Sequence, residues 1–175
     1  MTFWAAFAAG TVLLGVVSWV VSLRARRYHG IARFFAFDAI LALFLLNVGH
    51  WFEDPWAALH LLSWAILTVS LGLAVHSGYI LVKLGRPDGQ FENTTRLVAR
   101  GVYKFIRHPL YESAALLGLG IYLKNVTALT TVLVLVVLLS AYLTSRIEER
   151  EMLAKFGEDY RAYMRTSKMF IPFVF

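Results

Sequence analysis

The sequence has 175 residues, of which 59% are hydrophobic and 16% are charged. Soluble domains usually have about 45–50% apolar and about 25% charged residues, so this composition excludes a disordered chain and disfavours a water-soluble globule. The length fits one domain. Cysteine is absent, which excludes disulfides and thiolate metal sites. We therefore expect residues 1–175 to form a single membrane domain.

Five apolar runs follow one another along the chain, and no strand pattern interrupts them. They cover Phe3–Leu23, about Phe34–Trp51, about Trp56–Leu84, Leu110–Leu123 and Val126–Ser145. A run of roughly 20 apolar residues can cross a bilayer as a helix. The pattern predicts an all-α, polytopic integral membrane protein with about five transmembrane helices. Residues 1–84 would form three N-terminal helices, and residues 85–175 a polar loop, a helical hairpin and a cytoplasmic amphipathic tail.

The basic residues predict the orientation in the membrane. If all five runs cross, 16 of the 17 Lys and Arg residues fall on one side, and Lys124 alone lies opposite. Basic loops stay in the cytoplasm, so the N-terminus would be outside and the C-terminus inside. The net charge of +6 thus indicates topology and not nucleic-acid binding. The membrane would be the cell membrane in a prokaryote or the endoplasmic reticulum in a eukaryote.

The fourth run is too short to cross a bilayer on its own. Its 14 residues give a helix of roughly 21 Å, against a hydrocarbon core of about 30 Å. Pro109 suits the first turn of a helix and predicts that the helix starts there. Because a two-residue turn ties its other end to the fifth run, we expect this start to be recessed in the membrane. A tilted helix beginning near Tyr103 is the alternative.

Two polar clusters are candidates for chemistry. The first, Tyr103–Ser113, straddles the start of the fourth helix, where unpaired N–H groups and a partial positive charge suit a carboxylate or phosphate. The second, Arg146–Glu151, lies at the end of the fifth run, and an antiparallel hairpin would bring it opposite the first. The alternatives are an interfacial belt of Tyr, Arg and Lys for the first cluster and a solvated helix end for the second.

Other polar features are weaker candidates. Asp38 lies inside the second run and pairs either with a substrate or with a nearby Arg, and His76 faces either a pocket or a neighbouring helix. The histidines show no metal-binding spacing, so no metal is expected. An aromatic stripe in the tail, which includes Tyr160 and Tyr163, would lie on the inner leaflet or cap a site.

The first cluster carries a recognisable motif, Leu97-Val98-x-x-Gly101-x-Tyr103-x-x-x-Arg107-His108-Pro109-x-Tyr111. It resembles the cofactor motif of the isoprenylcysteine carboxyl methyltransferase family, which is grouped with the phospholipid methyltransferases. The downstream order of Glu148-Glu149, Phe156-Gly157, Tyr160 and Ile171-Pro172 is similar too.

The resemblance implies a membrane-embedded enzyme that binds S-adenosylmethionine (SAM) within residues 85–175 and methylates a membrane-dissolved substrate. It does not identify a catalytic residue, and the substrate-binding candidate is Arg146. The candidate cofactor residues are Thr95, Arg96, Leu97, Val98, Tyr103, Arg107, His108, Pro109, Leu110, Tyr111, Glu148 and Glu149.

The identity of the methyl acceptor stays open. The family default is the carboxylate of a prenylated cysteine, but those enzymes carry a substrate-binding Arg where this chain has Thr144. A phospholipid amine or another small lipophilic acceptor is the alternative. An NADPH-dependent membrane reductase of similar fold usually has Asn where this chain has Pro109. A small drug transporter would carry an acidic residue in its first helix, and the first run has none.

Overall fold

The computed structural model describes residues 3–88 and 94–175. Within these residues the chain forms α-helices and short 3-10 turns, with two isolated bridges and no β-strand. The α-helices are α1 (Phe3–Val21), α2 (His29–Asn47), α3 (Ala58–Gly85), α4 (Pro109–Tyr122), α5 (Ala128–Phe156) and α6 (Glu158–Thr166). The all-α prediction is confirmed. Part of the predicted polar loop, residues 89–93, lies outside the described residues.

Four of these helices, α1, α2, α3 and α5, are long and apolar enough to cross a membrane. The protein is therefore an integral membrane protein. α4 has 14 residues and starts at Pro109, as predicted. It is the short member of the bundle, which accounts for the difference between about five predicted spans and four helices of spanning length.

Two helices extend well beyond the apolar runs that predicted them. α2 begins at His29, five residues before the predicted start at Phe34. α5 continues beyond Ser145 to Phe156 and stops at Gly157, whose φ is 56°. Apolar runs mark only the part of a helix that faces lipid or core, whereas the backbone hydrogen bonds of a helix continue through polar residues. Both polar extensions lie at the same end of the bundle.

α4 lies in the middle of the bundle and packs against α2, α3 and α5, while α1 packs mainly against α2. The core contains Leu43 and Val137, both fully buried. Two glycines of α4 permit the close approach of its neighbours. A Cβ atom would lie 2.9 Å from Val137 at Gly118 and 2.7 Å from Leu67 at Gly120. Small residues at a helix interface allow such close packing in membrane proteins.

The turn between α4 and α5 is sharply defined. Thr127 and Thr130 form a reciprocal capping box, in which each hydroxyl accepts a hydrogen bond from the other residue's backbone N–H, at 3.2 and 2.9 Å. Only residues 123–127 separate α4 from α5, and the two helices pack together, so the hairpin is antiparallel. It places the polar start of α4 beside the polar end of α5.

Candidate functional site

One cavity of about 680 Å³ lies at the end of the bundle where α4 starts. Its lining comes from the C-terminal parts of α1, α3 and α5, the N-terminal parts of α2 and α4, the segment before α4, and α6. This volume is within the range of small-molecule sites, about 300–1,000 Å³. All of these helix parts lie at the same end of the bundle. We call this the cavity end.

A buried ion pair joins the two predicted clusters. Arg107 Nε donates to Glu149 Oε1 at 2.8 Å, and the two side chains are only 9% and 6% exposed. Arg107 Nη1 also donates to the Ser167 carbonyl at 2.5 Å. The prediction that the clusters face each other is thus confirmed. Arg107 and Glu149 neutralise each other and fix the start of α4 to the end of α5.

His108 lies between the two carboxylates of α5. Its Nδ1 is 3.6 Å from Glu148 Oε2, and its Nε2 is 3.5 Å from Glu149 Oε1. Burial lowers the pKa of His108, but the adjacent carboxylates raise it more, so the net shift is upward. The imidazole ring stacks on Tyr111, with 5.8 Å between ring centroids. The ring lies directly before the N-terminus of α4, where unpaired N–H groups favour a bound anion.

Glu148 lies close to both side chains: its Oε2 is 3.6 Å from His108 Nδ1, and its charge acts on the Tyr111 phenol. Glu148 lines the cavity, whereas Glu149 does not. The two neighbouring acids therefore have different surroundings. Glu149 balances Arg107 behind the lining, and Glu148 presents a carboxylate to the cavity.

The C-terminal segment holds the motif in place. The backbone N–H of Arg107 donates to the Lys168 carbonyl at 2.8 Å, and that of Lys168 donates to the Phe105 carbonyl at 2.9 Å. The His108 N–H donates to the Met169 carbonyl at 3.2 Å. Two stretches more than 60 positions apart therefore run side by side. No periodic or motif signal in the sequence predicts this pairing.

Three buried tyrosines close the cavity from the tail side. Tyr103, Tyr160 and Tyr163 all line it. Burial raises the pKa of each phenol, so all three stay protonated near neutral pH. Tyr163 donates its hydroxyl to the Tyr103 carbonyl at 2.6 Å. Of the two placements predicted for the aromatic stripe, the structure shows the cap over a site.

Of the predicted cofactor residues, all but Thr95 and Glu149 line the cavity. Thr94, the neighbour of Thr95, lies in the lining instead. The Thr95 hydroxyl donates to the Arg86 carbonyl at 2.8 Å and so helps to close the C-terminal end of α3. The cofactor-binding roles themselves stay predictions.

Arg146, the predicted substrate-binding residue, lies outside the cavity lining. Its side chain is exposed, and its guanidinium lies 5.9 Å from the Tyr142 ring centroid. Thr144, on the other face, is fully buried and donates to the Ser140 carbonyl at 2.7 Å. Arg146 therefore brings no positive charge into the cavity, and Thr144 carries none.

Asp38 and His76 are also outside the lining. Asp38 accepts a 2.6 Å hydrogen bond from the Thr11 hydroxyl and so joins α2 to α1. His76 is exposed. No group of three or more potential metal ligands occurs in residues 3–88 and 94–175.

Two residues at the start of α2 were missed as site candidates. Arg33 lines the cavity, and buried His29 places Nδ1 2.7 Å from Glu151 Oε2 on α5. They are four residues apart and thus share a helix face. Because the predicted helix began at Phe34, the four-residue spacing of His29 and Arg33 on one helix was not recognised.

The lining fits a zwitterionic, partly apolar cofactor. Within the described part of the chain, the buried His108 Nε2 has no hydrogen bond of normal geometry, and the first N–H groups of α4 lack helical partners. These donors suit a carboxylate. Glu148 suits an amine or a hydroxyl, and the apolar walls suit a base or a methyl group. The residues present therefore fit SAM.

Comparisons with known proteins point the same way. The sequence profile of the family described as Phospholipid methyltransferase matches residues 58–159, which is more than half of the chain. The match covers all of α3, α4 and α5 and reaches the start of α6. It confirms the resemblance seen in the sequence. Neither curated proteins nor solved structures give a match.

Proposed function

Because this chain belongs to the phospholipid methyltransferase family, we propose that it is a SAM-dependent methyltransferase acting on a lipophilic acceptor inside the membrane. The observation that carries the proposal is the cavity, whose lining joins the motif residues Arg107, His108 and Tyr111 to Glu148.

The polar part of the lining is where SAM would bind. Arg96, Leu97, Val98, Tyr103, His108, Leu110, Tyr111 and Glu148 would hold it. When bound, SAM supplies an activated methyl group to a nucleophile. The start of α4 and His108 would bind a carboxylate, and Glu148 would accept hydrogen bonds from an amine or hydroxyl. Arg107 and Glu149 fix these groups in place, because their buried pair ties the loop before α4 to α5.

The rest of the cavity suits a lipid chain. Leu14 and Val17 of α1, Phe34 and Phe37 of α2, and Leu71 of α3 line it. A lipophilic acceptor bound there would lie next to the polar end without water between them. Alignment and exclusion of water would then supply most of the rate, with no covalent intermediate on the protein.

Among acceptors, we propose a phospholipid-type amine ahead of a prenylated cysteine. Thr144 stands where prenylcysteine enzymes carry a binding Arg, and its hydroxyl bonds within its own helix. The matched family is also described by phospholipid methylation.

The proposed orientation follows from charge. The basic segments after α1, α3 and α5 lie at the cavity end, so the cavity would open toward the cytoplasm. The N-terminus would be outside, the C-terminus inside, and residues 1–84 would supply the lipid-facing wall. A water-soluble cofactor would then enter from the cytoplasm and the acceptor from the bilayer.

Methyl transfer in lipid nanodiscs tests the proposal. We expect radiolabelled methyl groups to pass from SAM to phosphatidylethanolamine faster than to N-acetyl-S-farnesylcysteine. Tyr111→Phe and Glu148→Gln should each weaken SAM binding by about tenfold or more, since each removes a polar group of the cavity lining that would bind SAM. Glu158→Gln is the matched control, because Glu158 is exposed on α6, pairs with exposed Arg161 and does not line the cavity. Unchanged SAM binding in both site variants would contradict the site assignment.

A further inference from the structure

We propose that an exposed aromatic surface next to the cavity anchors the protein at the membrane boundary and binds anionic phospholipid head groups there. The surface consists of Phe105, before α4, and of Ile171, Phe173, Val174 and Phe175, after α6, all of them exposed. We call it the aromatic surface. None of the five residues lines the cavity, so this binding surface is additional to the proposed function.

The aromatic surface is continuous with α5. Phe105 meets Phe173 edge to face, with 5.9 Å between the ring centroids. Phe175 stacks on Tyr142 of α5, with 6.4 Å between the centroids. Exposed apolar patches mark sites of contact with a protein or a membrane. The aromatic surface lies outside the four helices of spanning length, so the crossing of the bilayer by those helices does not explain it.

Hydrogen bonds hold both segments of the aromatic surface in place. The backbone pairing of residues 105–108 with residues 168 and 169 joins the two segments. Further along, the N–H groups of Phe170 and Ile171 donate to the main-chain oxygen of Phe175 at 2.8 and 2.6 Å. The rings are therefore already positioned, and binding does not have to order a loose chain.

Contacts with α5 place the aromatic surface at the membrane boundary. Arg146 is the first charged residue of α5, and it continues the face on which Leu139 and Leu143 are exposed. Tyr142 precedes Arg146 by four residues, or about 6 Å along the helix. Phe175, which stacks on Tyr142, therefore lies where the lipid chains meet the head groups. Aromatic side chains favour this region of the bilayer.

Two cations flank the aromatic surface. Lys104 Nζ lies 5.9 Å from the centroid of the Phe105 ring, and the Arg146 guanidinium lies 5.9 Å from the centroid of the Tyr142 ring. Both cationic side chains are exposed. At a membrane boundary, such side chains lay their stems along apolar surface and place their charge among the head groups.

This combination of charge and position identifies the partner. Cations beside an apolar patch attract anionic lipids electrostatically. The aromatic surface also continues the lipid-facing side of α5, so a bilayer can cover both at once. A membrane leaflet that contains anionic lipid therefore fits the aromatic surface better than a soluble protein does.

The depth of the aromatic surface can be measured with a single spin label, because the chain has no cysteine. The label is attached to Phe173→Cys in the full-length protein in nanodiscs. Glu158→Cys is the matched control, since Glu158 is exposed on α6 and does not line the cavity. We expect lipid-soluble oxygen to reach the label at position 173 and a water-soluble nickel complex not to reach it. The label at position 158 should show the opposite preference.

Head-group selectivity is measured with a bimane fluorophore on Phe173→Cys. Phosphatidylglycerol or phosphatidylcholine, each with a nitroxide on one chain, is added at equal mole fraction to phosphatidylcholine nanodiscs, and the quenching is compared. We expect phosphatidylglycerol to be enriched at the fluorophore by about fivefold or more, the effect of one cation near an anionic lipid.

The selectivity should depend on the two flanking cations. Lys104→Gln and Arg146→Gln should each lower the enrichment, and the double variant should abolish it. Arg24→Gln is the control, because Arg24 is an exposed cation of the turn after α1, and it should leave the enrichment unchanged. Raising the salt to about 1 M should also remove most of the enrichment, which decides the matter if a variant fails to fold.

Three results would overturn the inference. If the nickel complex reaches position 173 as readily as position 158, the aromatic surface faces water. If neither oxygen nor nickel reaches position 173, protein covers it, as in a pair of chains. Equal quenching by the two lipids would show that no anionic head group binds there. These measurements do not involve SAM, so their failure and a failure of the proposed function are distinguishable.

Discussion

Buried charged side chains have different partners at the two ends of the bundle. At the cavity end, Arg107 and His108 are matched by Glu148 and Glu149 around an open space. At the opposite end, which we call the turn end, Lys124 is only 3% exposed and has no hydrogen bond from Nζ within the described residues. Its Nζ instead lies 3.9 Å from the centroid of the Trp64 ring.

This contrast distinguishes a candidate binding site at the cavity end from a purely structural arrangement at the turn end. The faces of Trp51 and Trp64 stabilise the cation at the turn end, and Lys124 does not line the cavity. At the cavity end, the carboxylates of α5 stabilise Arg107 and His108, and Arg107, His108 and Glu148 still line the cavity. Breaking either arrangement should therefore have different consequences for stability and for ligand binding.

The largest effect should follow from breaking the buried pair of the cavity end. Arg107→Ala leaves Glu149 buried without its cation, which costs about 3–5 kcal/mol of stability. We expect a large drop in the thermal midpoint in nanodiscs and loss of measurable SAM binding. The double variant Arg107→Met/Glu149→Met should recover most of the stability and none of the SAM binding. Recovery of both would show that the pair is only structural.

The pH should change SAM affinity through His108. Its pKa is raised in the folded protein, so the stabilisation from its charged form is present below the ordinary value of about 6.5. That stabilisation is lost as the pH rises through the raised pKa. SAM affinity should then fall about fivefold, because a charge-assisted hydrogen bond is roughly twice as strong as a neutral one.

The measurement is a series of SAM titrations between about pH 6 and pH 9. His108→Asn should bind more weakly at low pH and show a flat profile over the same range. A wild-type profile that rises with pH would contradict the assigned sign.

At the turn end, substitutions should change stability and leave SAM affinity unchanged. A double-mutant cycle of Lys124→Met and Trp64→Leu should give a coupling of about 1–2 kcal/mol, as expected for a desolvated cation–π contact. SAM affinity should stay within about twofold, since both residues are remote from the motif on α4. A tenfold loss of SAM affinity would show that the two ends are not independent.

The smallest effect should come from Thr95. Its hydroxyl closes the end of α3 and lies outside the cavity lining, so Thr95→Val should cost about 1 kcal/mol or less. We expect SAM affinity to change by less than about twofold, whereas Thr94→Ala, in the lining, should change it more. A larger loss of SAM affinity in Thr95→Val would show that Thr95 belongs to the cofactor site, as the resemblance implies.

Much of the cavity end could be predicted from the sequence, since its signals are local. Pro109 predicts the start of α4, and a two-residue turn predicts an antiparallel hairpin that brings Glu148 and Glu149 to His108. The spacing of the motif residues indicates the family. Each inference needs only neighbouring residues and the geometry of one helix.

What the sequence did not reveal depends on contacts between distant segments. The pairing of Phe105–His108 with Lys168 and Met169 uses backbone atoms, which leave no side-chain pattern. The role of α2 was missed for a related reason. His29 and Arg33 precede the apolar run, and polarity alone does not distinguish the first turns of a helix from a loop.

The most direct test of the central claim, that the cavity end binds SAM, compares SAM and NADPH binding to the purified protein and to Glu148→Gln. We predict that SAM binds, that NADPH does not compete with it, and that Glu148→Gln weakens SAM binding by about tenfold or more. NADPH binding that Glu148→Gln also weakens, without SAM binding, would contradict the claim and assign the cavity to a reductase.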